Sequence, residues 1–195
     1  MIKKMFVFVI LAKILMACNN QPNTGFSTNN SNKKIVNKSD TYNIEQKINA
    51  LKKLTPLTSY QLKTLLPLQI GLFKINNFQT NNIMGFSSAE ALYQNKNATQ
   101  TIKIIIFDCA GNAGAELYSL HYLSKLNIQL ATEEGYTRTI DFMEKKAIET
   151  HQKNNNKYEL TFLANNRLLI HLQSTSVTAT QLKKIGESLH FSLST

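Results

Sequence analysis

The segment FDCAGNAGAE, Phe107 to Glu116, holds the side chains best placed for chemistry. Asp108 and Cys109 precede Gly111, Asn112 and Gly114, between an apolar run that reads as a strand and one that reads as a helix. Turns of this kind carry phosphate-binding loops and nucleophiles. The spacing is not G-x-G-x-x-G, and no Lys-Ser or Lys-Thr follows, so neither nucleotide signature is present. A hydrolase or thiol enzyme built on the Asp108–Gly114 turn would use Cys109 as nucleophile and His121 as base. His121 lies roughly ten residues along the following helix at about 1.5 Å each, which gives it a poor reach back to the thiol. The competing reading makes Cys109 a small buried hydrophobe and lets the glycines form a tight strand-to-helix turn.

Two further groups carry polar chemistry. In GFSSAEALY, an extended chain puts Ser88, Glu90 and Leu92 on one face and Ser87, Ala89, Ala91 and Tyr93 on the other. Ser88 and Glu90 then line a polar pocket or simply face solvent. His151 and His171 fall in neighbouring extended runs. With Asn165-Asn166 as a two-residue hairpin loop, Ala164 faces Arg167 and Leu160 faces His171. Gln152 opposite Lys157 puts His151 against Tyr158, and Tyr158 against Gln173. Both histidines then share a face with Cα atoms about 12 Å apart, too far to share a metal ion. No carboxylate pair has acid–base spacing, so no catalytic residue, metal ligand or cofactor is assigned.

The elements that must position these groups follow from periodicity. NIEQKINALKKL and TSYQLKTLLP read as helices, the second capped by Thr58 or Ser59, facing inward through Leu62, Leu65 and Leu66, and stopped by Pro67. IGLFKINNFQ and MGFSSAEALYQ read as extended. TIKIIIFD is a strong strand, and Ile104-Ile105-Ile106 suggests burial on both faces. AELYSLHYLSKLNIQL reads as a helix with Leu117, Leu120, His121, Tyr122, Leu123 and Leu126 crowded inward. YTRTIDF, KAIETHQ, YELTFLA and RLLIHLQS form a β-meander, and TATQLKKIGESL closes the chain as a helix capped by Thr178. The pattern defines an α+β fold: a mostly antiparallel sheet with flanking helices, ending in a β-meander and a terminal helix.

The amino terminus carries an address. MIKKMFVFVILAKILMAC has a basic start, a short apolar core and a small residue before a cysteine, the parts of a secretory signal. The core is about ten residues, below the ~20 of a permanent span. Leu15-Met16-Ala17-Cys18 resembles the lipobox of bacterial lipoproteins. The resemblance implies a signal peptide over residues 1–17, cleavage between Ala17 and Cys18, and lipid on Cys18. Asn19 in place of Asp favours the outer membrane, and with no acidic run after the cysteine the periplasmic face is expected. Two or three acyl chains would make the attachment nearly permanent, where one is marginal. Residues 18–43 then comprise the lipidated cysteine and a tether of Asn, Ser, Thr and Lys with little to bury. Residues 44–195 make one α+β domain of common size. Cys109 would be the one thiol left, with no partner for an intramolecular disulfide.

Charge excludes little. The chain carries 22 basic and 12 acidic side chains, net +10. Removing Met1–Ala17 takes Lys3, Lys4 and Lys13 and leaves 19 against 12, a net of about +7. The lysines are dispersed and no RNP pattern, zinc-finger spacing or basic stripe appears, so no nucleic-acid partner is expected. A polyanion or cell-wall polymer remains a partner class that this charge would suit. The run from YTRTIDF to GESL resembles the C-terminal half of small secreted domains of the PsbP/Mog1-like group. GFSSAEALY and IIIFDCAGNAGA resemble blocks of small bacterial lipoproteins of no assigned activity. These resemblances imply a fold and no catalytic residue. The expectation is a lipid-anchored envelope module, non-enzymatic, binding an envelope protein or a small ligand.

Overall fold

Thr58 and Thr178 each precede a helical run with glutamine three positions on, and both close a capping box. Thr58 Oγ1 accepts from the Gln61 N–H at 3.2 Å and Thr178 Oγ1 from the Gln181 N–H at 3.3 Å; each glutamine Oε1 accepts in return from its threonine N–H at 2.9 Å. The computed structural model describes residues 38–83 and 85–193. The signal segment, Ala17, Cys18 and the Asn-rich stretch through residue 37 lie outside the described residues.

Helix α1 spans Lys38–Lys52, starting upstream of Ile44, and α2 spans Ser59–Thr64. Strands β1 (Gln69–Ile70), β2 (Phe73–Ile83), β3 (Phe86–Gln94) and β4 (Thr101–Asp108) follow as a meander. Helix α3 (Gly111–Leu117) runs on through a π-turn, Tyr118–Tyr122, and a 3₁₀ turn, Leu123–Lys125. A second meander comprises β5 (Gln129–Thr132), β6 (Gly135–Phe142), β7 (Lys145–Gln152), β8 (Lys157–Ala164) and β9 (Leu168–Ser174), before α4 (Ala179–Ser188). Among the described residues no helix is long and apolar enough to cross a membrane.

The sheet is antiparallel throughout, in the order β1-β2-β3-β4-β9-β8-β7-β6-β5. Each meander is local, and the two join where β4 pairs with β9, from Lys103 opposite Gln173 to Asp108 opposite Leu168. One face carries Ile102, Ile104, Ile106, Leu168, Ile170 and Leu172, sealed by α2 through Leu62 and by α4 through Leu182. Each fully buried leucine or isoleucine there contributes about 1.5–3 kcal/mol. The opposite face meets α1 and α3 in a smaller cluster of Leu51, Cys109, Ala115, Tyr118, Ile148, Leu163 and Leu169. This is the α+β architecture expected, including the terminal meander and helix.

Four local expectations differ. Strand β4 alternates: Ile102, Ile104, Ile106 and Asp108 are buried, while Ile105 and Phe107 are half-buried on the second face. The segment from Ala115 is not one α-helix through Leu130, because it widens at the π-turn and yields to β5. Tyr118 and Tyr122 point inward there, and Leu120 is 67% exposed. The β8–β9 loop holds three residues, not two, with Ala164 opposite Leu168 and Thr161 opposite His171. Asn165 and Asn166 take positive φ (48° and 55°) as expected, but Arg167 is drawn out of the ladder: its carbonyl accepts the Cys109 N–H at 2.9 Å. A one-residue slip moves every side chain to the other face. His171 therefore lies opposite His151 across the sheet, not beside it.

Helix α4 is also tied down electrostatically. Glu149 on β7 is 2% exposed; its Oε1 accepts from Arg138 Nε at 2.8 Å and from the Tyr136 hydroxyl at 3.1 Å, and Lys183 Nζ of α4 lies 2.8 Å from Oε2. Burial pushes this carboxyl upward, yet the hydrogen bonds from Lys183 and Arg138 outweigh it and hold the pKa below the usual value. A depressed carboxylate pKa stabilises the fold above the unfolded value of about 4.3, and that stability is lost as pH falls through the folded pKa. Glu149→Gln should therefore cost about 2 kcal/mol at pH 7 and much less near pH 3. Urea titrations at the two pH values measure this; an equal loss at both would show that the charge does not carry the effect.

Candidate functional site

Asp108 ends β4 on the sealed face and is fully buried. Arg167 binds it in a fork, Nε to Oδ1 at 2.7 Å and Nη2 to Oδ2 at 2.9 Å. Backbone N–H groups complete the shell: Leu57 donates to Oδ2 at 2.7 Å and Ala110 to Oδ1 at 3.1 Å. Arg167 Nη2 also donates to the Thr55 carbonyl at 2.6 Å. Every lone-pair direction of the carboxylate is thus engaged by the fold, and Asp108 has no free edge to offer a substrate.

Cys109 belongs to the cluster under α1 and α3 and is also fully buried. Burial, then the neighbouring Asp108 carboxylate, pushes its thiol up to about 12. At neutral pH the thiolate that attacks or binds metal is therefore scarcely populated. The glycines of this turn are structural. Gly111 has φ +74°, and a Cβ on Gly114 would stand 2.5 Å from the Cys109 carbonyl carbon, so α3 rests directly on the end of β4.

Ser88 and Glu90 share a face of β3, as the alternation requires. Ser88 is buried opposite Phe107, and Glu90 pairs at 2.6 Å with Lys103 of β4. The structure therefore does not assemble Asp108, Cys109, Ser88 and Glu90 into one site. His151 stacks on Tyr158, ring centroids 4.1 Å apart, on the sealed face. Among the described residues no three His, Cys, Asp or Glu side chains are grouped to hold a metal ion.

The concave feature lies elsewhere. A cavity of about 650 Å³ opens on the second face, floored by β4 and β6–β9 and walled by α3, its two following turns and β5. Its floor is graded in cross-strand rows. Phe107 and Leu169 form an apolar row. Next come Ile105, His171, Thr161 and Ile148, and then a polar row of Glu159, Thr150 and Thr137. Rows lie two residues, about 6.6 Å, apart along the strands. Leu117, His121 and Lys125 recur every fourth residue on the wall, with Ile128 and Leu130 beyond.

Its charges are few. Glu159 is ion-paired with Lys157 on its own strand. His171 shares a hydrogen bond of 2.9 Å between Nδ1 and Thr161 Oγ1. Burial lowers its pKa, with Glu159 pulling the other way, so the site disfavours the charged ring. Lys125 has no ion-pair partner among the described residues. The periodicity of each strand marked which residues alternate, but the one-residue slip at Arg167 hid which of them meet. The threonines at 137, 150 and 161 were the available signal: polar β-branched residues on a face that a helix covers.

Compared with known proteins, the chain matches no family model, no curated protein and no solved structure.

Removing Arg167 would leave a fully buried carboxylate without its counter-charge, a change that costs about 3–5 kcal/mol. Arg167→Ala should show that loss in chemical denaturation, and adding Asp108→Ala should recover part of it. A loss below about 1 kcal/mol would mean the pair does not hold these segments together.

Proposed function

We propose that this chain is a lipid-anchored cell-envelope protein whose folded domain is a non-enzymatic binding module for a small ligand. The lipobox-like Leu15–Cys18 supports the anchor on Cys18, Asn19 in place of Asp supports the outer membrane, and the lack of an acidic run after Cys18 supports a domain facing the periplasm. The graded cavity carries the binding half of the reading. Sites for small molecules are concave, mostly apolar and furnished with a few convergent polar groups, and 650 Å³ lies within their usual range. The buried, protonated Cys109 and the saturated Asp108 weigh against a thiol enzyme at the Asp108–Gly114 turn. In the cavity the Thr161 hydroxyl meets His171 Nδ1 at 2.9 Å, but Glu159 is ion-paired with Lys157 and makes no hydrogen bond to the ring, so the carboxylate that would orient a base is engaged elsewhere, which favours binding over catalysis.

Metabolic labelling with a fatty-acid analogue should mark the wild type and leave Cys18→Ser unmarked; an unmarked wild type ends the anchor reading. For the cavity, the neutral apolar dye N-phenyl-1-naphthylamine should bind the full-length Cys18→Ser chain saturably. Thr150→Phe, which fills the floor from an already half-buried position, should weaken that binding at least about tenfold without lowering the melting temperature. Dye binding that never saturates, or that Thr150→Phe leaves unchanged, sinks the cavity reading.

A further inference from the structure

We propose that the cavity's ligand is an amphipathic monocarboxylate, an alkyl chain ending in one carboxylate, and that Lys125 receives the head. This deepens the cavity reading and rests on it. The floor runs from the apolar Phe107 and Leu169 to the hydroxyls of Thr150 and Thr137, so it suits a molecule apolar at one end and polar at the other. Two row steps of about 6.6 Å set a long axis of about 13 Å. An extended chain fills such a slot better than a compact ring system does.

The sign of the head follows from the cavity's charges. Glu159 already has Lys157 as its counter-ion, and burial of His171 disfavours its charged form. Lys125 lines the cavity wall and, among the described residues, has no ion-pair partner, so it is the lining charge left uncompensated. One free ammonium matches one carboxylate. A phosphate dianion would bring two charges to one cation, and an ammonium head would meet Lys125 with like charge. A neutral head would leave Lys125 unused while gaining only the hydroxyl contacts. The alkyl tail supplies affinity at about 0.8 kcal/mol per buried CH₂, and the head supplies orientation.

The test compares heads on one tail. Dodecanoate, dodecanol and dodecyltrimethylammonium are titrated by calorimetry, each below its micelle concentration, into the full-length Cys18→Ser chain without detergent at pH 7.5. Dodecanoate should bind about five- to tenfold tighter than dodecanol, the range of one charge-assisted hydrogen bond in a partly open site. Lys125→Ala should erase that preference while changing dodecanol binding less than about twofold. Lys125 is exposed, so the fold survives its loss. Dodecanol or the cationic amphiphile binding as tightly as dodecanoate, or the preference surviving in Lys125→Ala, overturns the carboxylate assignment and leaves the cavity reading standing. If none of the three binds, both readings fall.

Discussion

One buried carboxylate sets the geometry of much of this domain. Asp108 sits in the interior at the end of β4, where an isolated charge would be prohibitively costly to desolvate. It is tolerated because four donors from three chain segments converge on it: the loop after α1, the turn into α3 and the β8–β9 hairpin. Each donor brings a piece of backbone with it. The loop carrying Leu57 is drawn over the sealed face ahead of α2, the turn at Ala110 launches α3 onto the other face, and Arg167 bends the hairpin. Three elements thus take their starting positions from one side chain, and the requirement that the charge be fully satisfied leaves little freedom in any of them.

The asymmetry of the sheet's two faces follows. On the sealed face α2 and α4 meet alternating isoleucines, leucines and small residues, and the hollow left there, beside Phe142, Phe162 and Phe191, is only about 350 Å³. On the other, α3 starts in direct contact with the end of β4 at Gly114, where a Cβ would not fit. It is also short, widening into the π-turn before it reaches β6. The chain then crosses toward β5 as a thin wall, and the threonine-bearing strands beneath it stay partly uncovered. The cavity is what remains between a pinned helix and an edge strand.

Much of this fold was legible from residue patterns. The strands of the second meander, the capped helices α2 and α4 and the β4 strand follow from period-2 and period-3.6 spacing and from the Thr–Gln caps. Asp108 and Cys109 resemble a site in the sequence because they are polar residues at a strand-to-helix turn. Their real surroundings depend on Arg167, 59 positions from Asp108 in the chain, which local pattern cannot supply. The same residue shifted the β8–β9 register by one and so reversed which face His171 occupies. The short β5 was lost because IQL continues a helical apolar pattern, and its partner β6 decides the matter. The cavity's lining is therefore a product of long-range pairing, although each of its threonines was visible in the sequence.

The join between β4 and β9 also governs when the domain can exist at all. All other strand neighbours are adjacent in the chain and can pair as soon as they are made, because short loops close at little entropic cost. The β4–β9 seam alone spans the whole second meander, and its last rung, Asp108 opposite Leu168, is where the Arg167 fork locks. A chain delivered amino terminus first, from a ribosome or through a translocation pore, holds two half-sheets with unmatched edges until β9 arrives. Until then Asp108 lacks its Arg167 fork, and burying that end of β4 would leave a carboxylate without its counter-charge. The ion pair thus acts as a clasp that only the carboxy-terminal third of the chain can fasten.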